Sequence, residues 1–345
     1  MKNPEKKILL AMSGGTDSSV AAIMLLEQGY EVEGLTLMIH SGKSDFIDDA
    51  ASLCNKLGIK HHVVDVRTEF KNTVIQYFID DYKNGRTPNP CIYCNENLKW
   101  AVLAGKGDEL GIKLIATGHY ARIERINSSY FISKGSDPAK DQSYFLWRLP
   151  QSILDRAVLP LGNLTKSKVK RIAEEKGFKH IAHKRESMGI CFLQETSVHN
   201  FLEELIPKNE RPLGEIITSE NDVVGSHSGL PFYTIGQKKG IGVHNLCVIQ
   251  IDTQKNQLIV GDPETLWTDS IELKNFHFVS PEMINENSKY HVRIRGVDRK
   301  PYYEAQLKQY DNTLKINFDD PIWAPTSGQS VVIYENDLVI GGGIL

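Results

Sequence analysis

Between residue 7 and about residue 120, short apolar or β-branched runs alternate with stretches whose apolar positions recur at helical spacing. Ile8 to Met12 reads as a strand. It is followed by a helix through Ala21, Ala22, Leu25 and Leu26, ending near Gly29. Glu31 to Met38 and Lys60 to Val66 read as further strands around a helix from about Phe46 to Leu57. Phe70 to Tyr82 and Leu98 to Leu110 carry helical periodicity, and Lys113 to Thr117 reads as a buried strand. Strands alternating with helices in this way predict βαβ units and a mainly parallel, doubly wound α/β sheet.

The texture changes after about Glu195. One short helix, Val198 to Leu205, precedes a turn-rich region, Ile206 to Gly242. Strand-like runs then follow without intervening helices: Leu246 to Ile251, Leu258 to Val260, Tyr290 to Arg295, Tyr302 to Leu307, Leu314 to Phe318, Ser330 to Tyr334 and Leu338 to Ile340. That spacing predicts a small antiparallel β-barrel. The expected plan is a catalytic α/β domain (1–200), a small linking domain (201–268) and a C-terminal β-barrel (269–345).

A chain of 345 residues exceeds one typical core. No apolar run approaches the roughly 18 residues that span a bilayer. The polar stretch Met1 to Lys7 leads straight into the first strand, which leaves no room for a signal peptide, so a cytoplasmic protein without membrane attachment is expected. Five cysteines, Cys54, Cys91, Cys94, Cys191 and Cys247, are too few and too odd for a secreted disulfide framework and point to reduced thiols. The net charge of -3 gives no overall pull on nucleic acid, yet the stretch Thr165 to Arg185 carries eight Lys or Arg against Glu174 and Glu175. Such a stretch suits a phosphate-facing patch or a solvated helix face equally well.

The first chemical signal is Ser13-Gly14-Gly15-Thr16-Asp17-Ser18-Ser19, between a strand and a helix. Adjacent glycines let the backbone approach an anion, and the free N–H groups of a first helical turn, with the hydroxyls of Ser13, Ser18 and Ser19, can surround a pyrophosphate. The loop lacks a Walker A lysine. It resembles the SGGxDSS loop of PP-loop ATP pyrophosphatases, which cleave ATP between the α and β phosphates and adenylate a substrate oxygen. Thr117-Gly118-His119-Tyr120 sits at another predicted strand end and is expected to share its crevice.

The second signal is Cys91-Ile92-Tyr93-Cys94, after Gly85-Arg86-Thr87-Pro88-Asn89-Pro90, where two prolines predict an extended loop rather than helix. A Cys-x-x-Cys pair serves as a redox dithiol, as half of a zinc site or as two ligands of an iron–sulfur cluster. No second Cys-x-x-Cys and no His-x₃₋₅-His completes a zinc site, so no metal ligand set is assigned. Cys54 on an apolar helix face and Cys247 in a barrel strand read as small buried hydrophobes.

Seven motifs in order carry a resemblance over nearly the whole chain. They are the PP-loop, Gly85 to Pro90, Ala116 to Tyr120, Lys140-Asp141-Gln142-Ser143-Tyr144-Phe145-Leu146, Gly189-Ile190-Cys191-Phe192, Thr234 to Gly240 and Ser327-Gly328-Gln329-Ser330. Together they resemble the bacterial tRNA-specific 2-thiouridylase family, which replaces O2 of the wobble uridine in certain anticodons by sulfur. The resemblance implies ATP, with Mg2+, bound by Ala11, Met12, Ser13, Gly14, Gly15, Thr16, Asp17, Ser18, Leu37 and Gly118. It implies Cys94 as nucleophile and Cys191 as persulfide carrier, the two forming a disulfide during turnover. It places Asn89, Pro90 and Cys91 on the target base, and His119, Lys140, Asp141, Gln142, Arg295 and Gln329 on tRNA. The implied partners are the tRNA anticodon stem-loop and a persulfide sulfur donor, a cysteine desulfurase or relay protein.

The chain departs from the family pattern at three places. Cys91 stands where many members have Asp, which opens an alternative route through an iron–sulfur cluster on Cys91, Cys94 and Cys191; the persulfide route is favoured. Gly296 replaces an aromatic residue often found beside Arg295, and the stretch from His40 to Phe46 is shorter than the acidic insertion of many relatives. Competing readings are another PP-loop adenylating synthetase, which would not need Cys191, and an RNA-binding protein with an inactive nucleotide site.

Overall fold

The computed structural model describes residues 6–39, 45–184, 189–193, 196–296 and 300–345. Most of the stretch from His40 to Phe46, Arg185 of the basic stretch, and Ser187 and Met188 next to the Cys191 motif lie outside the described residues. The chain forms two compact units. The first comprises Met1–Val74, Cys91–Gly189 and Asp337–Val339; the second comprises Ile75–Pro90, Ile190–Asn336 and Ile340–Leu345.

In the first unit, β1 (Lys7–Ala11), α1 (Thr16–Glu27), β2 (Glu31–Met38), α2 (Asp45–Leu57) and β3 (Lys60–Asp65) follow one another as the alternation predicts. Then come α3 (Trp100–Glu109), β4 (Leu114–Ala116), the hairpin β5 (Ala121–Ile126) and β6 (Ser129–Lys134), β7 (Ala157–Val158) and α4 (Lys166–Glu175). The sheet runs β3-β2-β1-β4-β7 and every pairing is parallel. Ile8, Leu9 and Leu10 are fully buried, as the central strand of a sheet covered on both faces requires. Strand order reverses between β1 and β4, so the ligand crevice of this doubly wound sheet opens at their carboxyl ends.

The expected extended loop at the cysteines is corrected in part. Residues 86–89 form neither helix nor strand, but Pro90–Cys94 is helical and passes through a π-helical turn, Asn95–Lys99, into α3. Pro90 occupies the first helical position, where a missing N–H costs nothing and φ is already set. The predicted helix over Phe70 to Tyr82 likewise contains a π-turn, Lys71–Ile75.

The second unit holds the helix Gln76–Lys83, α5 (Val198–Leu205) and two β-structures. β8 (Gly214–Thr218), β9 (Val223–His227), β10 (Cys247–Asp252) and β11 (Gln257–Gly261) form a sheet in the order β10-β11-β8-β9. Its core includes Ile216, Leu230, Val248, Leu258 and Val260. Cys247 and the strand runs at 246–251 and 258–260 therefore belong to this linking sheet and not to the barrel, because β11 pairs in parallel with β8. The barrel is built from β12 (Trp267–Leu273), β13 (Asn275–Phe278), β14 (Lys289–Arg293), β15 (Tyr303–Tyr310), β16 (Thr313–Trp323), β17 (Ser330–Glu335) and β18 (Leu338–Ile344). The pairs β12–β16, β16–β15, β15–β14, β14–β17 and β13–β18 are antiparallel, and alternate residues of β15 and β16 enter the core. The helix Gln76–Lys83 packs in this unit: Phe78 is fully buried, with ring centroids 5.1 Å from Phe192 and 6.1 Å from Phe201.

Candidate functional site

The loop after β1 is shaped by its glycines. Gly14 has φ +66, and a Cβ there would lie 2.4 Å from the Phe46 carbonyl oxygen, so no other residue fits. Gly15 is the N-cap of α1 with φ -94 and ψ 168 and gives no side-chain cap. The amides of the first turn therefore have no capping acceptor from their own helix, which is the condition for receiving an anion.

The serines behave differently from expectation. Ser18 and Ser19 are buried and their hydroxyls donate to the Gly15 carbonyl at 3.2 and 2.8 Å, while Ser18 Oγ accepts from the Ser13 amide at 3.2 Å. These two hydroxyls brace the loop from within; only Ser13 is exposed. Thr16 is also turned inward, donating to the Ile181 carbonyl at 2.7 Å. Ala11 is half-buried at the end of β1 and Met12 is buried, its amide held by the Leu35 carbonyl at 2.8 Å. Leu37 lies half-buried near the end of β2, opposite Val64.

Gly118, just past β4, meets this loop directly. A Cβ on it would lie 3.0 Å from Asp17 C and from Ser18 N, so the end of β4 and the start of α1 touch backbone to backbone. Asp17 accepts from the Tyr120 hydroxyl at 2.6 Å and from Lys166 Nζ at 2.7 and 2.9 Å. Lys184 Nζ donates to the Gly14 carbonyl at 2.8 Å and also pairs with Asp49. Tyr120 was expected at this crevice as part of its motif, but Lys166 and Lys184 were not picked out as loop residues from the sequence. Lys166 and Lys184 were read only as part of a basic stretch, and nothing local in the pattern places them on a loop about 150 residues earlier.

Cys91 and Cys94 are half-buried on the helical turn Pro90–Cys94. Burial pushes both thiols up from their ordinary range, and the Lys99 ammonium opposes this at both. At Cys94 the Lys99 backbone N–H opposes it as well. Burial holds His119 well below its ordinary value and Lys99 adds to the effect, so its ring is neutral. The Thr117 hydroxyl shares a 2.6 Å hydrogen bond with His119 Nδ1, and the ring stacks on Trp100 at 6.2 Å. The Lys99 charge thus acts on two thiols and an imidazole, another feature that the sequence left unmarked. Burial raises Cys54 to about 11, and Cys247 is also raised, in keeping with inert thiols.

The remaining expected positions fall as follows. Asp141 is buried and accepts from the Gly135 and Ser143 amides at 3.0 and 3.1 Å. Gln142 exchanges hydrogen bonds with the main chain of Tyr120, at 2.9 Å through its side chain and 2.8 Å through its amide. Both residues hold the segment beside Gly118, and Lys140 is half-buried next to them. In the second unit, Cys191 is exposed. Arg295 donates to the Trp323 and Ala324 carbonyls at 2.6 and 3.0 Å, and Gln329 donates to the Thr87 carbonyl at 2.7 Å. Asn89 lies in the irregular stretch and Pro90 opens the helical turn. Among the described residues, no group of three or more His, Cys, Asp or Glu gathers as a metal site would, and no helix is long and apolar enough to cross a membrane.

A parallel sheet with a Ser-Gly loop at its switch point, followed by two β-structures, defines a PP-loop nucleotide-binding protein with β-domains attached. Comparison with known proteins narrows the class. The family model described as the tRNA methyl transferase HUP domain matches residues 6–195, the tRNA methyl transferase PRC-barrel domain matches 199–262, and the aminomethyltransferase beta-barrel domain matches 268–345. The chain is 42% identical over 344 residues to tRNA-specific 2-thiouridylase MnmA 2 of Phocaeicola vulgatus, covering 98% of this chain and 97% of that protein. It is 38% identical to tRNA-specific 2-thiouridylase MnmA 1 of Clostridium botulinum, covering 99% of each chain. It is also 38% identical to tRNA-specific 2-thiouridylase MnmA of Amoebophilus asiaticus, covering 98% of this chain and 94% of the relative. The chain belongs to the tRNA-specific 2-thiouridylase family.

Proposed function

We propose that this protein thiolates tRNA: it adenylates O2 of the anticodon wobble uridine with ATP and replaces that oxygen by sulfur from a cysteine persulfide. The observation that carries the reading is identity of 42% to a named 2-thiouridylase across 98% of the chain. The family-model descriptions speak of methyl transfer. A phosphate-sized loop with uncapped amides and a lysine-flanked pair of thiols suit ATP activation and sulfur transfer better.

In this reading ATP, as its Mg2+ chelate, lies on Ala11 to Ser18, Leu37 and Gly118, with its phosphates toward the amides of the α1 turn. Uridine O2 attacks the α-phosphorus and pyrophosphate leaves. The outer sulfur of a Cys191 persulfide attacks C2, and AMP leaves with the original oxygen. Cys94 thiolate then attacks the Cys191 sulfur, forming a Cys94–Cys191 disulfide and leaving the second sulfur on the base as the thiocarbonyl. A dithiol reductant restores both cysteines. Lys99 supports this role by favouring the Cys94 thiolate. The persulfide route is the one proposed, and no step is routed through an iron–sulfur cluster.

The base leaves its stack to reach the site and meets Asn89, Pro90 and Cys91. Contacts to tRNA come from His119, Lys140, Asp141, Gln142, Arg295 and Gln329. The functional division is 1–200 for chemistry, 201–268 for linkage and 269–345 for tRNA. A cysteine desulfurase or a sulfur relay protein recharges Cys191, and the protein works in the cytoplasm, where tRNA and thiol reductants are available.

The test is incubation of the full chain with ATP, a cysteine desulfurase system and unmodified tRNA, followed by nucleoside mass spectrometry. Formation of 2-thiouridine with AMP and pyrophosphate, lost in Cys191→Ser, is expected. Methylated base from S-adenosylmethionine, or activity that survives Cys191→Ser, would overturn the proposal.

A further inference from the structure

The loop Thr87-Pro88-Asn89-Pro90 cannot hold itself in place. Its prolines remove two of its four amide donors, and Thr87 to Asn89 lie outside the chain's helices and strands, with Pro90 only opening the next helical turn. It is held from outside, by a turn of the β-barrel in the same unit. The Thr87 amide donates to the Ser327 carbonyl at 2.8 Å. Gln329 Nε2 donates to the Thr87 carbonyl at 2.7 Å and reaches the Pro88 carbonyl at 3.4 Å. Both groups facing that amide are acceptors, so the NH₂ end of Gln329 must point at the loop.

Between these bonds sits Gly328, with φ +90, which disfavours any side chain, and a Cβ position 3.0 Å from the Thr87 carbonyl oxygen, so that a side chain would have to push the loop away by a few tenths of an ångström. The turn is itself anchored: the Gly328 amide donates to the Leu345 carbonyl at 2.9 Å, and the Leu345 amide donates to Gln329 at 3.0 Å. At the loop's other end, Arg86 pairs with Asp81, which is buried, and the Arg86 amide donates to the Asp81 carbonyl at 2.8 Å.

We infer that the barrel turn Thr326–Gln329 is a clamp that fixes the loop Thr87–Pro90, with Gln329 acting as a positioning residue for the base-contacting Asn89 and Pro90. The inference rests on the proposed thiolation reading for those two residues and gives Gln329 a role besides touching tRNA. A clamp acts on how the bound base is presented, so its loss lowers turnover more than it weakens tRNA binding.

Four full-length variants test it. Gln329→Met removes the donor at similar size, Gln329→Glu turns it into an acceptor facing two carbonyls, Gln329→Lys keeps a donor, and Gly328→Ala pushes the turn off Thr87. Hydrogen exchange on the protein alone, without ATP or tRNA, should show the Thr87 amide opening roughly 2- to 12-fold faster in Gln329→Met, the range of one lost hydrogen bond. Gln329→Glu and Gly328→Ala should open further and Gln329→Lys less, while peptides of β8 to β11 stay as in wild type. In kinetics with tRNA varied, kcat should fall in the same order and by a larger factor than KM for tRNA rises. Unchanged exchange at Thr87, glutamate behaving like methionine, or a raised KM with constant kcat would overturn the clamp. A wild type that makes no 2-thiouridine would sink the thiolation reading instead, and the exchange data would still decide whether the turn holds the loop.

Discussion

Two adjacent glycines in the nucleotide loop should respond in opposite ways to substitution. At Gly14, φ of +66 places an alanine in the left-handed region at about 1 to 2 kcal/mol. Its Cβ would also lie 2.4 Å from the Phe46 carbonyl and 3.1 Å from Asp49 Cβ, so the start of α2 must yield by most of an ångström. Overpacking of that kind adds about 1 to 3 kcal/mol. Gly14→Ala should therefore lose about 2 to 5 kcal/mol, which at roughly 2 to 4 °C per kcal/mol for a unit of this size lowers the first unit's melting transition by about 4 to 20 °C. Gly15 has φ -94 and ψ 168, and a Cβ there would meet only Ser13 Oγ at 3.4 Å. Those are the dihedrals of a good N-cap, so Gly15→Ser should fold as well as wild type, its hydroxyl capping the amides of the first turn. The same cap takes those amides from the phosphates. ATP affinity should fall roughly 10- to 150-fold, the value of one charge-assisted hydrogen bond. Calorimetric melting and isothermal titration with ATP, run on both variants, separate the effects. The reasoning fails if Gly15→Ser destabilises as much as Gly14→Ala, or if it binds ATP like wild type.

Further outcomes follow from the same geometry. His119 is held neutral in the fold, so below its ordinary titration range the unfolded chain binds the extra proton and stability falls as pH drops from about 6.5 to 5; His119→Gln should flatten the slope by up to about 1.4 kcal/mol per pH unit in urea melts between those values. An unchanged slope refutes the burial argument. Lys166→Met should cost about 1 to 3 kcal/mol in denaturant unfolding, less than a fully buried pair because the Asp17 side chain is 36% exposed, and Asp17→Asn in the same chain should recover part of it. With iodoacetamide at neutral pH, peptide mass spectrometry should find exposed Cys191 alkylated first, Cys94 slowly, and Cys54 unmodified. Lys99→Met should slow Cys94 further, and equal rates in the two proteins would remove Lys99 from the thiol's surroundings.

The parts of the fold carried by short-range pattern were legible. The β1, α1 and β2 sequence, the loop between strand and helix, and the change of texture after Glu195 all follow from local periodicity and turn chemistry. What escaped depends on contacts between distant residues or on a shift of one residue. A π-turn such as Asn95–Lys99 carries the same apolar pattern as an α-helix, so its altered register left no mark. Pro90 was taken as a helix breaker although it opens one. The inward turn of Ser18 and Ser19 was hidden because a serine reads alike whether it faces an anion or the Gly15 carbonyl. Lys166 reaches Asp17 across 149 residues and Gln329 reaches Thr87 across 242, pairings that no local rule supplies.

The helix Gln76–Lys83 lies in the sequence within the nucleotide-binding stretch, yet Phe78 and Tyr82 are buried with the unit that also holds Phe192 and Phe201. Gene and fold therefore disagree on where the first unit stops. A fragment cut after residue 189 would carry an orphan aromatic face and would be expected to aggregate, and a second fragment beginning there would lack the helix that covers its own aromatic cluster. The interleaving puts the loop Thr87–Pro90 and the barrel turn that holds it into one folding unit, although Thr87 and Gln329 stand 242 positions apart in the chain.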